Sequence, residues 1–407
     1  MKRLTKDILG VYFDIPTLAK KILPIVVLEH LVAAFCLNVS VYFKKVNGFG
    51  FEQIGLSISL YYWGCLLGAL IGGMVTLQSR TNKISGFGMV AMSVCFYCLF
   101  FSSSRQLINL SMFSLGCIGT IVATSNITSL IRTALGREKV KLKVISLELI
   151  LFNLSFSFVT YILLDLDAIH IVKFIEILMV LLVFFGLWTL TFHNESIFNP
   201  PQSKSSWNIN FFPQHKQEFL VLMGMVFCFG LIFSMVKVIF TPTLVDRFGD
   251  NMVSVAVASV NPWMMFFIQP LIINRIKNTN SIWYLGLGGF TVGLSYFVFG
   301  VVNSFLFTVI ALVVLTFGEM MFSPLSKHLS VQLYNEGQEG IASGAWRAVF
   351  LGSGVIGPEL SGYVAEYYGE HFVWECCALL GVACFVFSVF SRKMKLKNLT
   401  GKVALEL

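Results

Sequence analysis

Long apolar blocks, each of roughly twenty residues, fill this chain, and one polar stretch, residues 193–216, interrupts them at the midpoint. A bilayer core about 30 Å thick is crossed by roughly 20 apolar residues in a helix. In lipid the backbone must satisfy its own hydrogen bonds, which leaves helices or a closed barrel. Residues 175–192 show no period-two alternation, so a barrel is excluded. Only 12% of the 407 residues are charged and 56% are hydrophobic; a soluble domain carries about a quarter charged residues. The sequence therefore predicts an all-α membrane protein.

Twelve spans are predicted, at 22–43, 52–76, 85–103, 107–132, 144–165, 169–191, 217–243, 252–274, 282–302, 304–329, 341–367 and 372–391. The expected organisation is a cytoplasmic tail at 1–21, a six-helix bundle at 22–192, a cytoplasmic linker at 193–216, a second six-helix bundle at 217–391 and a tail at 392–407. Asn199, Pro200, Pro201, Ser203, Ser205 and Ser206 give the linker its turn-forming composition. Asp14 and Pro16 interrupt the first apolar stretch and no small-residue cleavage site follows, so no cleavable signal peptide is expected.

Charge placement sets orientation. The net charge of +8 does not point to nucleic acid, because the basic residues flank the apolar blocks. Most of the 29 Lys and Arg fall in the tails and in alternate loops, and the opposite side holds Lys44, Lys45, Arg105 and Arg247. The positive-inside rule then places both termini in the cytoplasm of a plasma (inner) membrane, which requires an even number of spans. The halves echo one another. Gly48-Phe49-Gly50 precedes span two and Arg247-Phe248-Gly249 precedes span eight, and paired basic residues follow each of those spans. Such internal repeats mark secondary transporters.

The nine cysteines are scattered through apolar spans, and the Cys95–Cys98 CxxC lies inside one, so these are expected to pack rather than bind zinc or form disulfides. The six histidines are too dispersed for a metal-enzyme cluster. No metal, no cofactor and no enzymatic activity is expected. No GxxxxGK[ST] phosphate loop is present, which disfavours ATP-driven pumping. Gly64, Gly68 and Gly72 share one helix face, a close-packing stripe.

The six-plus-six layout, with Gly72 and Arg80 in the loop after span two, resembles the major facilitator superfamily; Thr76 stands where that family's loop carries an acid. Arg132 and Glu148 then read either as a substitute gating pair or as separate interfacial charges. The carboxyl half carries Asn261-Pro262 with Pro270, Thr316-Phe317-Gly318-Glu319 running to Ser323-Pro324, and Gly344-Ala345-Trp346. Over 261–362 this set resembles the proton-dependent oligopeptide transporters. The resemblance implies a substrate-facing Glu319 and a central cavity between the bundles. Prolines at 262, 270 and 324 are expected to break the helical ladder there. Span one has Glu29-His30-Leu31-Val32-Ala33 where those carriers have ExxER. Gly357-Pro358 in span eleven looks like an antiporter motif, but that motif belongs in span five, which here has neither glycine nor proline.

An ionised group at the bilayer centre costs roughly 2.5–3.5 kcal/mol and usually faces a partner or a cavity. Glu29, His30 and Glu319 are the candidates for proton coupling, since an acid in a partly dry site can load and release a proton near neutral pH. His30 either shares that proton or bonds to a carbonyl. Lys237 either snorkels outward or offers a cation to an anionic solute or to Glu29 or Glu319. With Asn261, Trp263, Glu319 and Trp346 it makes up the expected substrate site. Lys327, Arg347 and Glu359 read as gate residues, with interfacial anchoring the competing reading for the two cations. Lys173 and Glu176 share a helix face and are expected to pair. Tyr61 and Tyr62 line a pocket or pack in the core. The expectation is a monomeric, proton-coupled secondary transporter. It would export a small metabolite, drug or siderophore-like solute, the alternative being proton-symport uptake of an anionic or peptide-like nutrient. A membrane enzyme or a sensor scaffold are the other classes.

Overall fold

The computed structural model describes residues 16–133, 138–165, 168–191, 198, 213, 216–249, 259–265, 267–268, 281–334 and 339–393. All regular structure among them is helical. The helices are α1 (Thr17–Asn38), α2 (Ser40–Lys45), α3 (Phe51–Gln78), α4 (Thr81–Phe101), α5 (Arg105–Arg132), α6 (Glu138–Asp165), α7 (Ala168–Leu190), α8 (Lys216–Phe248), α9 (Ser281–Val301), α10 (Phe305–Gln332), α11 (Glu339–Tyr367) and α12 (Glu370–Lys393). Residues 259–265 are helical as well. Nine helices among the described residues are long and apolar enough to cross a membrane. Most of the expected linker 193–216 and of span eight, with Pro270, lies outside the described residues, as do most of the two tails.

The predicted spans and the helices agree to within a few residues at most ends, because uninterrupted apolar runs leave the backbone no stable alternative in lipid. Span one is the exception: it divides at Val39 into α1 and α2. The outward faces follow the helical period. On α7, Ile177, Val180, Phe184 and Leu187 are exposed while Ile175, Leu178 and Leu182 are buried. An exposed stripe this apolar suits lipid rather than water.

Two compact units divide the chain. One comprises Met1–Phe49, Leu56–Ser205 and Asp250–Val255; the other Gly50–Gly55, Ser206–Gly249 and Ala256–Leu407. In the first, α4 packs on α5 and α7, and α1 packs on α5 and α6. Phe35 anchors an aromatic core against Phe96, Phe100 and Phe174, and Tyr61 and Tyr62 are buried, as core residues would be. The glycine stripe of α3 meets α5 backbone to backbone: a β-carbon on Gly64 would run into the Phe113 carbonyl, one on Gly68 into that of Cys117, and one on Gly116 into that of Tyr61. Only glycine permits such an approach.

In the second unit, α9 packs on α10 and α12, and α8 packs on α11 and α12. Gly293 and Gly381 let α9 and α12 close up, and Phe229 stacks flat on Phe322 at 4.0 Å between centroids. Gly357 of α11 lies against Ser234 of α8, whose hydroxyl is 3.2 Å from the Ser353 carbonyl, and Ser361 donates to the Met235 carbonyl at 2.8 Å. The Gly357-Pro358 motif therefore sits in a packing seam. The sequence echo between the halves has a backbone counterpart, since Gly48 (φ 63°) and Gly249 (φ 78°) both take the left-handed conformation after the first span of each half.

Two expectations are corrected. Helix α10 runs through Pro324 without a break. A proline removes one donor and crowds one carbonyl, and packing in a membrane helix tolerates that defect. Lys173 and Glu176 form no ion pair; both are exposed on α7, and sharing a face brings side chains near one another without closing an ion contact.

Candidate functional site

Among the described residues, each unit brings an acid of a membrane helix, Glu29 or Glu319, together with partners from helices far apart in sequence. In the first, α1 carries Glu29 and His30 inward between apolar turns; they are 5% and 4% exposed. Glu29 Oε1 lies 3.5 Å from His30 Nδ1. On the other side of the ring, Glu148 Oε1 of α6 lies 3.5 Å from Nε2. Phe152, one turn along α6, meets the imidazole edge-on at 5.4 Å and fixes its plane. Glu29 Oε2 accepts from Asn126 Nδ2 of α5 at 3.2 Å. Asn126 Oδ1 in turn accepts from Ser85 of α4 at 2.7 Å. A polar seam continues from there: Ser125 donates to the Thr81 carbonyl and Ser129 to the Thr81 hydroxyl, both at 2.7 Å.

Burying a charge is tolerated only where hydrogen bonds or opposite charge compensate it. Glu29 meets that requirement through Asn126 and His30. The structure thus brings Glu29 and Glu148 to the two sides of the His30 ring. Arg132 ends α5, half-buried.

In the second unit, Glu319 of α10 is half-buried. Its Oε2 accepts from Asn261 Nδ2 at 2.7 Å. Lys237 of α8 and Tyr296 of α9 lie within electrostatic reach of its carboxyl group. The Lys237 ammonium also sits 4.6 Å from the Phe233 ring centroid, a cation–π contact that helps hold a charge away from water. Two of the expected substrate residues, Asn261 and Glu319, are therefore joined directly, with Lys237 beside them. Trp263 is 48% exposed and stacks on Phe267.

Trp346 belongs to a different group. It is buried, stacks on Phe350 at 5.1 Å and donates Nε1–H to Ser326 at 3.0 Å. Lys327 covers the same ring at 4.7 Å, so these two expected residues meet. Arg347 and Glu359 are exposed on α11. Asn126, Ser85 and Tyr296 were not singled out from the sequence. An amide deep within the apolar span 107–132, which holds one other at Asn109, was the available signal for Asn126. Ser85 and Tyr296 resemble many hydroxyl residues in this chain.

The family model for the Major Facilitator Superfamily matches residues 25–358. A search of curated protein sequences finds no match. Among solved structures, a POT family transporter in complex with 5-aminolevulinic acid aligns with a TM-score of 0.76 at 13% identity, covering 95% of this chain and 97% of that one. A peptide transporter POT in complex with sulfate aligns with a TM-score of 0.76 at 13% identity, covering 96% of each chain. The nucleoside transporter NupG, as a mutant, aligns with a TM-score of 0.76 at 12% identity, covering 92% of this chain and 99% of that one. At such identity the likeness is one of fold.

Proposed function

The chain belongs to the Major Facilitator Superfamily, and we propose that this transporter of small solutes works by proton-coupled alternating access, in the export direction. Family membership places it among secondary transporters rather than enzymes. The carrying observation for proton coupling is that each unit holds a glutamate bound by an asparagine amide, buried Glu29 by Asn126 and half-buried Glu319 by Asn261. A carboxyl group kept from bulk water by neutral donors can exchange a proton without losing its hydrogen bond, as a coupling site requires. The apolar, aromatic-rich helices around both clusters suit an amphipathic cargo such as a metabolite, drug or siderophore-like anion. We place the protein in the plasma membrane as a monomer with both termini in the cytoplasm.

Uptake of an anionic or peptide-like nutrient by proton symport is the second reading. The neighbouring opposite charges of Lys237 and Glu319 favour it, since they offer both an anion and a cation a partner. The POT structures solved with 5-aminolevulinic acid and with sulfate are in keeping with it.

The deciding experiment compares cells with and without the protein by untargeted metabolite profiling. Accumulation of a solute inside deficient cells supports export, and depletion supports import. The identified solute is then followed in proteoliposomes under an imposed pH gradient. Gradient-driven flux that survives in Glu319→Gln and in Glu29→Gln would refute proton coupling through these acids.

A further inference from the structure

The first unit's cluster has a built-in polarity that the transport reading alone does not require. Ser85 donates to Asn126 Oδ1 at 2.7 Å, so the amide oxygen faces a donor and the amide nitrogen must face Glu29. The competing acceptor for that hydrogen, Ser125 Oγ, is farther away at 3.1 Å. Glu29 Oε2 is thereby occupied by an N–H donor and is a poor place for an added proton. The other oxygen, Oε1, points at His30 Nδ1. His30 Nε2 is fully buried and has no hydrogen-bond partner among the described residues, with Glu148 Oε1 3.5 Å away. A buried ring nitrogen in that state is set for a partner that closes the gap by roughly half an ångström. Glu148 is the wetter acid, its side chain 30% exposed against 6% for the side chain of Glu29.

We propose that Asn126, locked by Ser85, is a positioning residue that directs the proton of Glu29 to Oε1, from which His30 relays it to Glu148. The proposal rests on the proton-coupling reading of Glu29. In the step, the Oε1–H bond of Glu29 breaks as Nδ1–H of His30 forms, and Nε2–H of His30 breaks as O–H forms on Glu148. One proton moves from the buried acid to the half-exposed one, the negative charge moves the other way, and His30 changes tautomer. Among the described residues, the titratable groups acting on His30 are Glu29 and Glu148. Of the other elements packed on α1, α5 presents the neutral Asn126 to Glu29 and α7 presents Phe174 to Phe35.

The test uses the purified full-length protein in lipid nanodiscs with ¹⁵N-labelled histidine, and needs neither a solute nor a gradient. His30→Gln identifies the His30 signals among the six histidines. Where Glu29 is protonated, the relay expects a neutral His30 in the Nε2–H form. Glu148→Gln should alter the His30 signals, and Asn126→Leu should populate the Nδ1–H tautomer. Ser85→Ala, which frees the amide to turn, should do the same in milder form and serves if Asn126→Leu does not fold. Lys173→Gln, on the exposed face of α7, should leave the signals unchanged. A purely structural Asn126 would cost stability and leave the tautomer alone. A His30 signal unaltered by Glu148→Gln, or unaltered in every folded variant of Asn126 and Ser85, overturns the relay. Normal coupling among these groups in a protein without proton-driven flux would instead refute the transport reading.

Discussion

Asn261 donates to Glu319 across 2.7 Å, joining residues 58 positions apart. A hydrogen bond to a charged group is worth about 1.5–3 kcal/mol. Removing the amide alone strands the carboxyl group; removing the charge as well relieves it. Asn261→Leu should therefore lower the unfolding midpoint in detergent, and adding Glu319→Gln should recover part of the loss. A double-mutant cycle should return a coupling of about 1.5–3 kcal/mol. Additive single effects would mean the pair contributes nothing specific.

Gly64 and Gly73 offer a matched contrast on α3. A β-carbon at Gly64 meets the Phe113 carbonyl of α5, whereas one at Gly73 meets nothing within 4 Å. Gly64→Ala should cost about 1–3 kcal/mol through forced separation of the two backbones. Gly73→Ala should be neutral or stabilise by up to about 1 kcal/mol, the helix-propensity difference. Thermal unfolding of the two variants under one condition measures the difference.

How far these features were legible differs by kind. Span limits were readable because a lipid-spanning helix needs a long run of apolar residues, and α7 and α9 are little else. The glycine stripe was readable as packing because its four-residue spacing fixes a face, although the partner, α5, was not. Glu29 and Glu319 stood out as charges where charges are costly. Their asparagine partners followed less readily, since an amide in a span is cheaper than a charge and its partner depends on tertiary packing. Asn126 meets Glu29 across 97 positions, a separation no local pattern encodes. Glu148 was noticed for its charge, but its neighbour is His30 at 3.5 Å, and only the docking of α6 on α1 decides that. The Pro324 expectation failed because proline reports a missing donor, while the surrounding helices decide whether the axis breaks.

Gly48 and Gly249 close the first span of each half with φ of 63° and 78°. A side chain in the left-handed region costs about 1–2 kcal/mol for an L-residue. Gly249→Ala and Gly48→Ala should each destabilise by that amount. Asparagine, which tolerates this region better, should cost less than alanine at both positions. Equal penalties for alanine and asparagine in thermal unfolding would contradict the conformational explanation.

Arg247 tests whether a charge at a helix end is structural. Its guanidinium donates to the carbonyls of Phe299 and Gly300, the latter at 2.7 Å, and covers the Phe299 ring at 4.8 Å. These are among the last carbonyls of α9, which have no partner within the helix. Positive charge also complements the negative end of the helix dipole. Close by, Thr243 donates to Glu370 at 2.6 Å, and that carboxylate lies within electrostatic reach of the guanidinium. Arg247→Ala should therefore cost about 1.5–3 kcal/mol, the range for a hydrogen bond to a charged donor. Arg247→Lys should recover only part of this, because an ammonium keeps the charge but cannot spread planar donors over neighbouring carbonyls. Hydrogen exchange at α9 supplies the local readout. The amides of its final turns should lose protection in Arg247→Ala, while those of α5 in the other unit stay as they were. Uniform loss across both units would assign Arg247 a global role and reject the helix-end account.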